Sequence, residues 1–354
     1  MPTTVTRTVA PSGGDHTTLN AALSWFTTNY PDFTASDIIG AIVISGDWTS
    51  AADTTPANAT GITTDATRYL DIYTTGGARH SGVWSNSAYR LEVTASYGIR
   101  FGTNTNGIHV TGLQIYINTA SPAASMQGIY ANATGALSQE ISNCLIRGNT
   151  GWNTASYIQN GVQVYHSSVT TSGTVKIWNN IIYDFVNPSG TARGIYGQSF
   201  AGSTSTIYSY NNTVHSCRSG IDRSAVGSFI IVNTAVSDCT NNIVGNYEAG
   251  TDYNATDDAS LGYTVSGSGN THDVLDAVIV WNNEAGDDFH LVSGDDIIDV
   301  GTSDPGTGLF SDDIDGVTRS GTWDIGADEY VSAPSGPIML GRYMFIARSD
   351  GTSE

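Results

Sequence analysis

The side chains that could do chemistry are few, and most are acidic. In the middle of the chain Asp184, Asp222 and Asp238 are interspersed with Arg193, Arg218 and Arg223, and His166 and His215 lie nearby. Two carboxylates facing one groove would suit glycoside hydrolysis; carboxylates holding Ca²⁺ beside a proton-abstracting arginine would suit a polysaccharide lyase. None of these residues recurs at a fixed register, and Asp in turn-rich sequence is ordinary turn chemistry. The expectation is no catalytic site, with Asp184, Asp222, Arg193 and Arg223 as the runner-up set. Further on, Ser311-Asp312-Asp313-Ile314-Asp315-Gly316 offers three carboxylates without EF-hand spacing. Asp313 and Asp315 are candidates for a surface Ca²⁺ site, and otherwise no cofactor is expected. Cys144, Cys217 and Cys239 lack zinc spacing and read as buried thiols, with a Cys217–Cys239 disulfide left open.

The elements that would position these groups are strands. Gly128-Ile129, Gly161-Val162, Gly194-Ile195 and Gly220-Ile221 each open a β-rich segment, with Gly107-Ile108 as an earlier opening. Each segment then reaches an Asn: Asn143, Asn180, Asn212 and Asn233. Two residues before each Asn stands Ile141, Trp178, Tyr210 or Ile231; two after it stands Leu145, Ile182, Val214 or Ala235. Offsets of two share a face of an extended chain, so all four Asn are predicted to point inward with these apolar residues and to stack as a ladder between coils. Trp178 and Tyr210 then read as core.

Phrases such as Ile177-Trp178-Asn179-Asn180-Ile181-Ile182 resemble the right-handed parallel β-helix superfamily, the pectate-lyase-like fold. Arg79 to Leu91 resembles the first coils of β-helix proteins, many of them encoded by phages. Asp288-Phe289-His290-Leu291, Asp313-Ile314-Asp315-Gly316 and Asp324-Ile325-Gly326-Ala327-Asp328-Glu329-Tyr330 resemble the C-terminal end of choice-of-anchor Q domain proteins. That resemblance implies an architecture and no activity. The predicted fold is all-β, a right-handed parallel β-helix with a short N-terminal capping helix and an extended C-terminal tail. Residues 1–35 form the capping segment, 36–330 the β-helix and 331–354 the tail. In the first segment Leu19, Ala22, Leu23 and Phe26 mark one helix face, with Asp15 or Thr17 as cap.

Composition narrows the partners. The chain of 354 residues carries a formal net charge of −20, and Lys176 is its only lysine, so nucleic acid and anionic membranes are not expected partners. No apolar run is long enough for a membrane span. The opening Met1-Pro2-Thr3-Thr4 lacks a signal peptide's regions, which implies synthesis in the cytoplasm and, for action outside a cell, release by another route such as lysis. After the linker 332–337, the run Ile338, Met339, Leu340, Tyr343, Met344, Phe345 and Ile346 is too apolar to stay free; it should dock on another chain or fold back as a cap. The leading expectation is a non-enzymatic structural protein, a virion decoration or fibre component, oligomeric through this tail, the trimer being the common assembly of viral β-helices. The alternatives are a polysaccharide-binding or -degrading β-helix, which would engage cell-surface glycan, and a bacterial adhesion module.

Overall fold

The computed structural model describes residues 1–119, 122–152, 156–166, 168–199, 202–224, 227–266 and 270–332. It is a parallel β-helix, each coil contributing strands to three stacked sheets. The first sheet contains Thr3–Val9, Ile38–Ile44, Leu70–Thr74, Gly107–Thr111, Ala136–Ser142, Ser172–Trp178, Thr206–Tyr210 and Ser228–Val232. The second runs from Arg90–Val93 to Ala255–Thr256, and the third from Ala57–Ala59 to Tyr263–Val265. Val, Ile, Thr and Tyr fill these strands because branched and aromatic side chains pack well on a pleated surface. Their inward faces form one continuous core, including Ile108, Ile141, Ile177 and Ile231.

The boundaries differ from those predicted. Thr3–Val9 already pairs in parallel with Ile38–Ile44, so the coil begins before residue 36. The last strand in a parallel pairing ends at Val265. Val274 still bridges Ala255 in parallel; after it the chain to residue 330 wraps the outside of the solenoid, and its paired strands, Trp281–Asn283 with Asp288–Leu291, are antiparallel. The tail candidates Ile338, Met339, Leu340, Tyr343, Met344, Phe345 and Ile346 lie outside the described residues.

Helix α1 (Leu19–Asn29) covers the open first coil and buries Leu19, Ala22, Leu23 and Phe26, the predicted face. Its cap is neither Asp15 nor Thr17. Thr18 accepts from the Ala21 amide, and Asp53 from a later coil accepts from the Leu19 amide at 2.7 Å. Asp15 instead binds the Thr8 amide at 2.8 Å.

A glycine row sets how closely coils approach. Gly98, Gly128, Gly161, Gly194 and Gly220 succeed one another coil by coil; a Cβ at Gly161 would lie 2.6 Å from the Gly194 carbonyl oxygen and 2.5 Å from Ile182 Cγ2. Gly98-Ile99, rather than Gly107-Ile108, is therefore the earlier opening: Ile99 pairs with Ile129, whereas Gly107 belongs to the first sheet.

The Asn residues fall into two rows, which corrects the single ladder. Strand register aligns Ile141, Ile177, Ser209 and Ile231. The corner residues two positions later are thus Asn143, Asn179, Asn211 and Asn233, all left-handed with φ between 46° and 54°. Asn tolerates that conformation better than most residues. The following position holds Cys144, Asn180, Asn212, Thr234 and, one coil on, Asn254, and it points inward. Asn180 accepts from the Cys144 amide at 2.9 Å, Asn212 from the Asn180 amide at 3.0 Å, and Asn254 from the Thr234 amide at 3.0 Å. Their side-chain amides donate to Ile141, Ile177 and Ile231 carbonyls. Asn180 and Asn212 are interior ladder residues; Asn143 and Asn233 are corner residues one register earlier. The left-handed corner breaks the period-two alternation that the sequence reading carried straight through it.

The same slip moves two aromatic residues. Trp178 and Tyr210 align with Ser142 and Val232 on the outer face of the first sheet. They are buried there by the C-terminal segment, in a cluster with Phe310 and Trp323. The Trp178 and Phe310 rings lie 6.0 Å apart and nearly parallel.

Candidate functional site

Charged side chains on the coil faces are paired along the solenoid axis. On the first sheet Asp71, His109, Glu140 and Lys176 align in register, and Glu140 lies 3.6 Å from His109 and 3.5 Å from Lys176. On the third sheet Arg193 forms an ion pair with Asp222 of the next coil and stacks over the Tyr196 ring at 3.9 Å. Arg223 reaches Glu248 of the following coil at 2.9 Å, and Glu248 also accepts from the Phe229 amide at 2.5 Å. The four runner-up catalytic residues therefore do not share a groove. Asp222, Arg193 and Arg223 fasten coils on one face, and Asp184 lies at another corner.

Asp184 follows the strand Ile181–Tyr183 with φ 64°, and Asp238 occupies the equivalent corner after Ala235–Ser237 with φ 50°. Both are turn residues with a conformational reason to be Asp. Asp184 meets Arg147 at 3.4 Å, and Arg147 also binds Asp287 of the C-terminal segment at 2.7 Å. Burial raises the pKa of both carboxyls, and the shared arginine opposes that rise. Beside them His215 lies 3.3 Å from Glu284 and receives a hydrogen bond from the Trp281 indole at 3.3 Å. This constellation joins the outer segment to the second sheet.

The corner Asn row continues that attachment. Asn143 donates to the Asp313 carbonyl, Asn179 to the Asp312 carbonyl and Asn233 to the Thr302 carbonyl, each at 2.7 Å. Asn211 donates to the Asp324 and Gly326 carbonyls at 3.0 and 3.2 Å. The guanidinium of Arg319 is enclosed within the segment; it binds Glu329, the Asn179 side-chain oxygen and the Gly326 and Ala327 carbonyls. Nearer the first coils, Arg79 donates to the Ile314 carbonyl, and Val83 bridges Asp288. His80 is buried against the Asn143 carbonyl at 2.9 Å, and burial depresses its pKa.

The two Ca²⁺ candidates separate. Asp313 is fully buried and acts as a turn acceptor: one oxygen takes the Asp315 and Val317 amides at 3.1 and 2.8 Å, the other the Glu329 amide at 3.1 Å. Burial and the neighbouring Asp315 push its carboxyl up to about 8. Asp315 turns toward His290 instead, and that partner holds it low against the opposing effect of burial. Cys144, Cys217 and Cys239 are all free buried thiols, so Cys217 and Cys239 form no disulfide.

The third sheet presents a different surface. Tyr130, Gln163, Tyr196 and Asp222 align in register on its outer side, with Tyr165 and Gln198 in a parallel row. Tyr130 and Tyr165 stack with centroids 6.5 Å apart. The sequence reading did not single out this row or the Arg319 and Asp287 attachments. Tyr130 and Tyr196 each directly follow a Gly-Ile opening, a signal visible in the sequence, whereas pairings across more than a hundred residues carry no local signal. The sequence matches no protein-family model, and it matches no curated protein. No helix among the described residues is long and apolar enough to cross a membrane.

Proposed function

We propose that this protein is a non-enzymatic structural element, a rigid β-helix for surface display or assembly. The observation that supports this reading most directly is the coil-to-coil pairing of the charges that would otherwise serve catalysis: Arg193 with Asp222, Arg223 with Glu248, and Arg147 with Asp184. A carboxylate neutralised by a neighbouring coil stiffens the stack and is a poor acid or base. The setting we propose is a virion surface, supported by the resemblance of Arg79 to Leu91 to the first coils of phage-encoded β-helices. The proposed lineage, the pectate-lyase-like superfamily with an ending akin to choice-of-anchor Q domain proteins, rests on the phrases quoted above. Assembly is proposed as homo-oligomerisation, a trimer for preference, through Ile338 to Ile346.

The test is the light-scattering mass of the full chain beside a version ending at Tyr330, both checked for a folded β spectrum. An oligomeric full chain and a monomeric truncation support the reading; two monomers remove the assembly role from the tail. Depolymerase activity lost in Asp184→Ala or Asp222→Ala would overturn the non-enzymatic reading.

A second reading is a saccharide-binding face on the third sheet, favoured by the stacked Tyr130 and Tyr165 beside Gln163 and Gln198. Aromatic faces with neighbouring amides suit sugar rings. Glycan-array binding by the full chain that disappears in Tyr130→Ala/Tyr165→Ala would favour this reading.

A further inference from the structure

We propose that His290, Asp315 and Asp328 form a binding site for a divalent transition cation, with Zn²⁺ as the best chemical match. One ligand atom from each of the three lies within 4.8 Å of the others. The His290 Nε2 to Asp315 Oδ2 separation is 3.5 Å. Ligand bonds of about 2.0–2.1 Å around a tetrahedral ion put neighbouring donor atoms roughly 3.3 Å apart. The His290–Asp315 pair is already at that spacing, and the remaining separations, within 4.8 Å, require Asp328 to close by at most about 1.5 Å.

The surroundings hold the ligands in place. His290 Nδ1 is 2.6 Å from the Asp288 carboxylate, which keeps a proton on Nδ1 and leaves Nε2 as the nitrogen that faces the cluster. A carboxylate behind the imidazole is the usual outer partner of a metal-bound histidine. Nε2 is sealed from solvent and lies nearest the Asp315 carboxylate, its ion-pair partner, so without a cation it carries the proton that binding would release. Asp328 is 5% exposed, and one of its oxygens is fixed by the Leu291 amide at 2.7 Å. Asp315 is carried on a turn already organised by Asp313. Gly82 closes the site from the first coils: a Cβ there would stand 2.6 Å from Nε2, and its φ of +74° also disfavours a side chain.

Ligand type selects the metal. Ca²⁺ takes six to eight oxygen ligands, whereas one imidazole with two carboxylates suits Zn²⁺ and leaves a position for water. The cysteines are excluded as ligands by burial elsewhere in the coil core. A bound ion would join three stretches, Asp288–His290, Asp315 and Asp328, that no sheet connects. Its role would be to lock the outer segment.

The experiment is calorimetric titration of the full chain, stripped with chelator, with Zn²⁺ in two buffers of different ionisation enthalpy. Expected are one site per chain, a proton released on binding and hence a buffer-dependent heat, and at least a tenfold loss of affinity in Asp315→Asn. That side chain is 26% exposed, so the substitution should leave the fold intact, checked by circular dichroism. Substitution by Co²⁺ in the unaltered protein provides a variant-free measurement: weak visible bands of nitrogen and oxygen coordination are expected. Absence of stoichiometric Zn²⁺ binding, unchanged affinity in Asp315→Asn, thiolate charge-transfer bands with Co²⁺, or a preference for Ca²⁺ would each overturn the proposal.

Discussion

The coil interior and the outer segment use the same amino acid in opposite ways. Asn180, Asn212 and Asn254 face inward, and each satisfies backbone groups of the preceding coil. Asn143, Asn179, Asn211 and Asn233 face outward and hold a segment with almost no regular structure of its own. The first arrangement is periodic: each coil meets only its neighbours, and the stack gains stability as nearest-neighbour terms. The second is long-range and unrepeated, with pairings such as Arg319 to Asn179 and Asn143 to Asp313. Loss of an interior Asn should therefore propagate through the stack, whereas loss of an exterior one should stay local.

The largest effect expected from breaking this contrast is at Asn212. Asn212→Ala leaves the buried Asn180 amide and Ile177 carbonyl without their partner, a cost of about 4 kcal/mol at 1–3 kcal/mol per orphaned group plus lost packing. Denaturant unfolding followed by far-UV circular dichroism should show the whole β signal melting early; an unchanged midpoint would mean that the row is dispensable. Next is Arg319→Ala, which strands buried Glu329 and should cost about 3 kcal/mol. Here hydrogen exchange should rise across 296–330 while the coil amides stay protected. Equal loosening of both regions would abolish the distinction between them.

Acid offers a third probe, aimed at the coil alone. Burial depresses His166 to about 4, below the ordinary 6.5, so the unfolded chain takes up a proton that the folded one refuses. The neutral ring's contribution is fully present above pH 6.5 and is lost as pH falls toward 4. Between pH 7 and 5 this amounts to about 2 kcal/mol. His166→Gln should flatten that part of the pH–stability curve, and a curve of unaltered slope would place the titration elsewhere. The smallest effect is expected for Asn143→Gly, which keeps the left-handed corner and loses one hydrogen bond, about 1 kcal/mol, read as faster proteolysis of the outer segment with the coil melting temperature unchanged.

What the sequence made legible was periodic. The Gly-Ile openings, the helix face of Leu19, Ala22, Leu23 and Phe26, and the parallel β-helix itself follow from repeated local choices that agree with one another. The errors came where periodicity is interrupted. A single left-handed residue at each corner shifts the inward register, so Asn143 does not hold Asn180's role, and Trp178 is buried as expected but on the outer face of its sheet. The outer segment was read by its resemblance as further coils, because nothing local in Thr302 or Asp324 reveals that their carbonyls meet Asn side chains far earlier in the chain. Asp315 was named as a cation ligand for its type alone; its partners His290 and Asp328 lie in other phrases and become neighbours only after the segment has wrapped.

Solenoids ordinarily evolve by gaining or losing whole repeats, since any coil can stack on any other. This one is tied from Val83 to Asn233 by a segment of fixed length whose contacts meet successive corners. An inserted or deleted coil would put each later corner out of step with its carbonyl. The outer segment therefore acts as a ruler, restricting length change to the loops between strands and leaving the number of coils under selection.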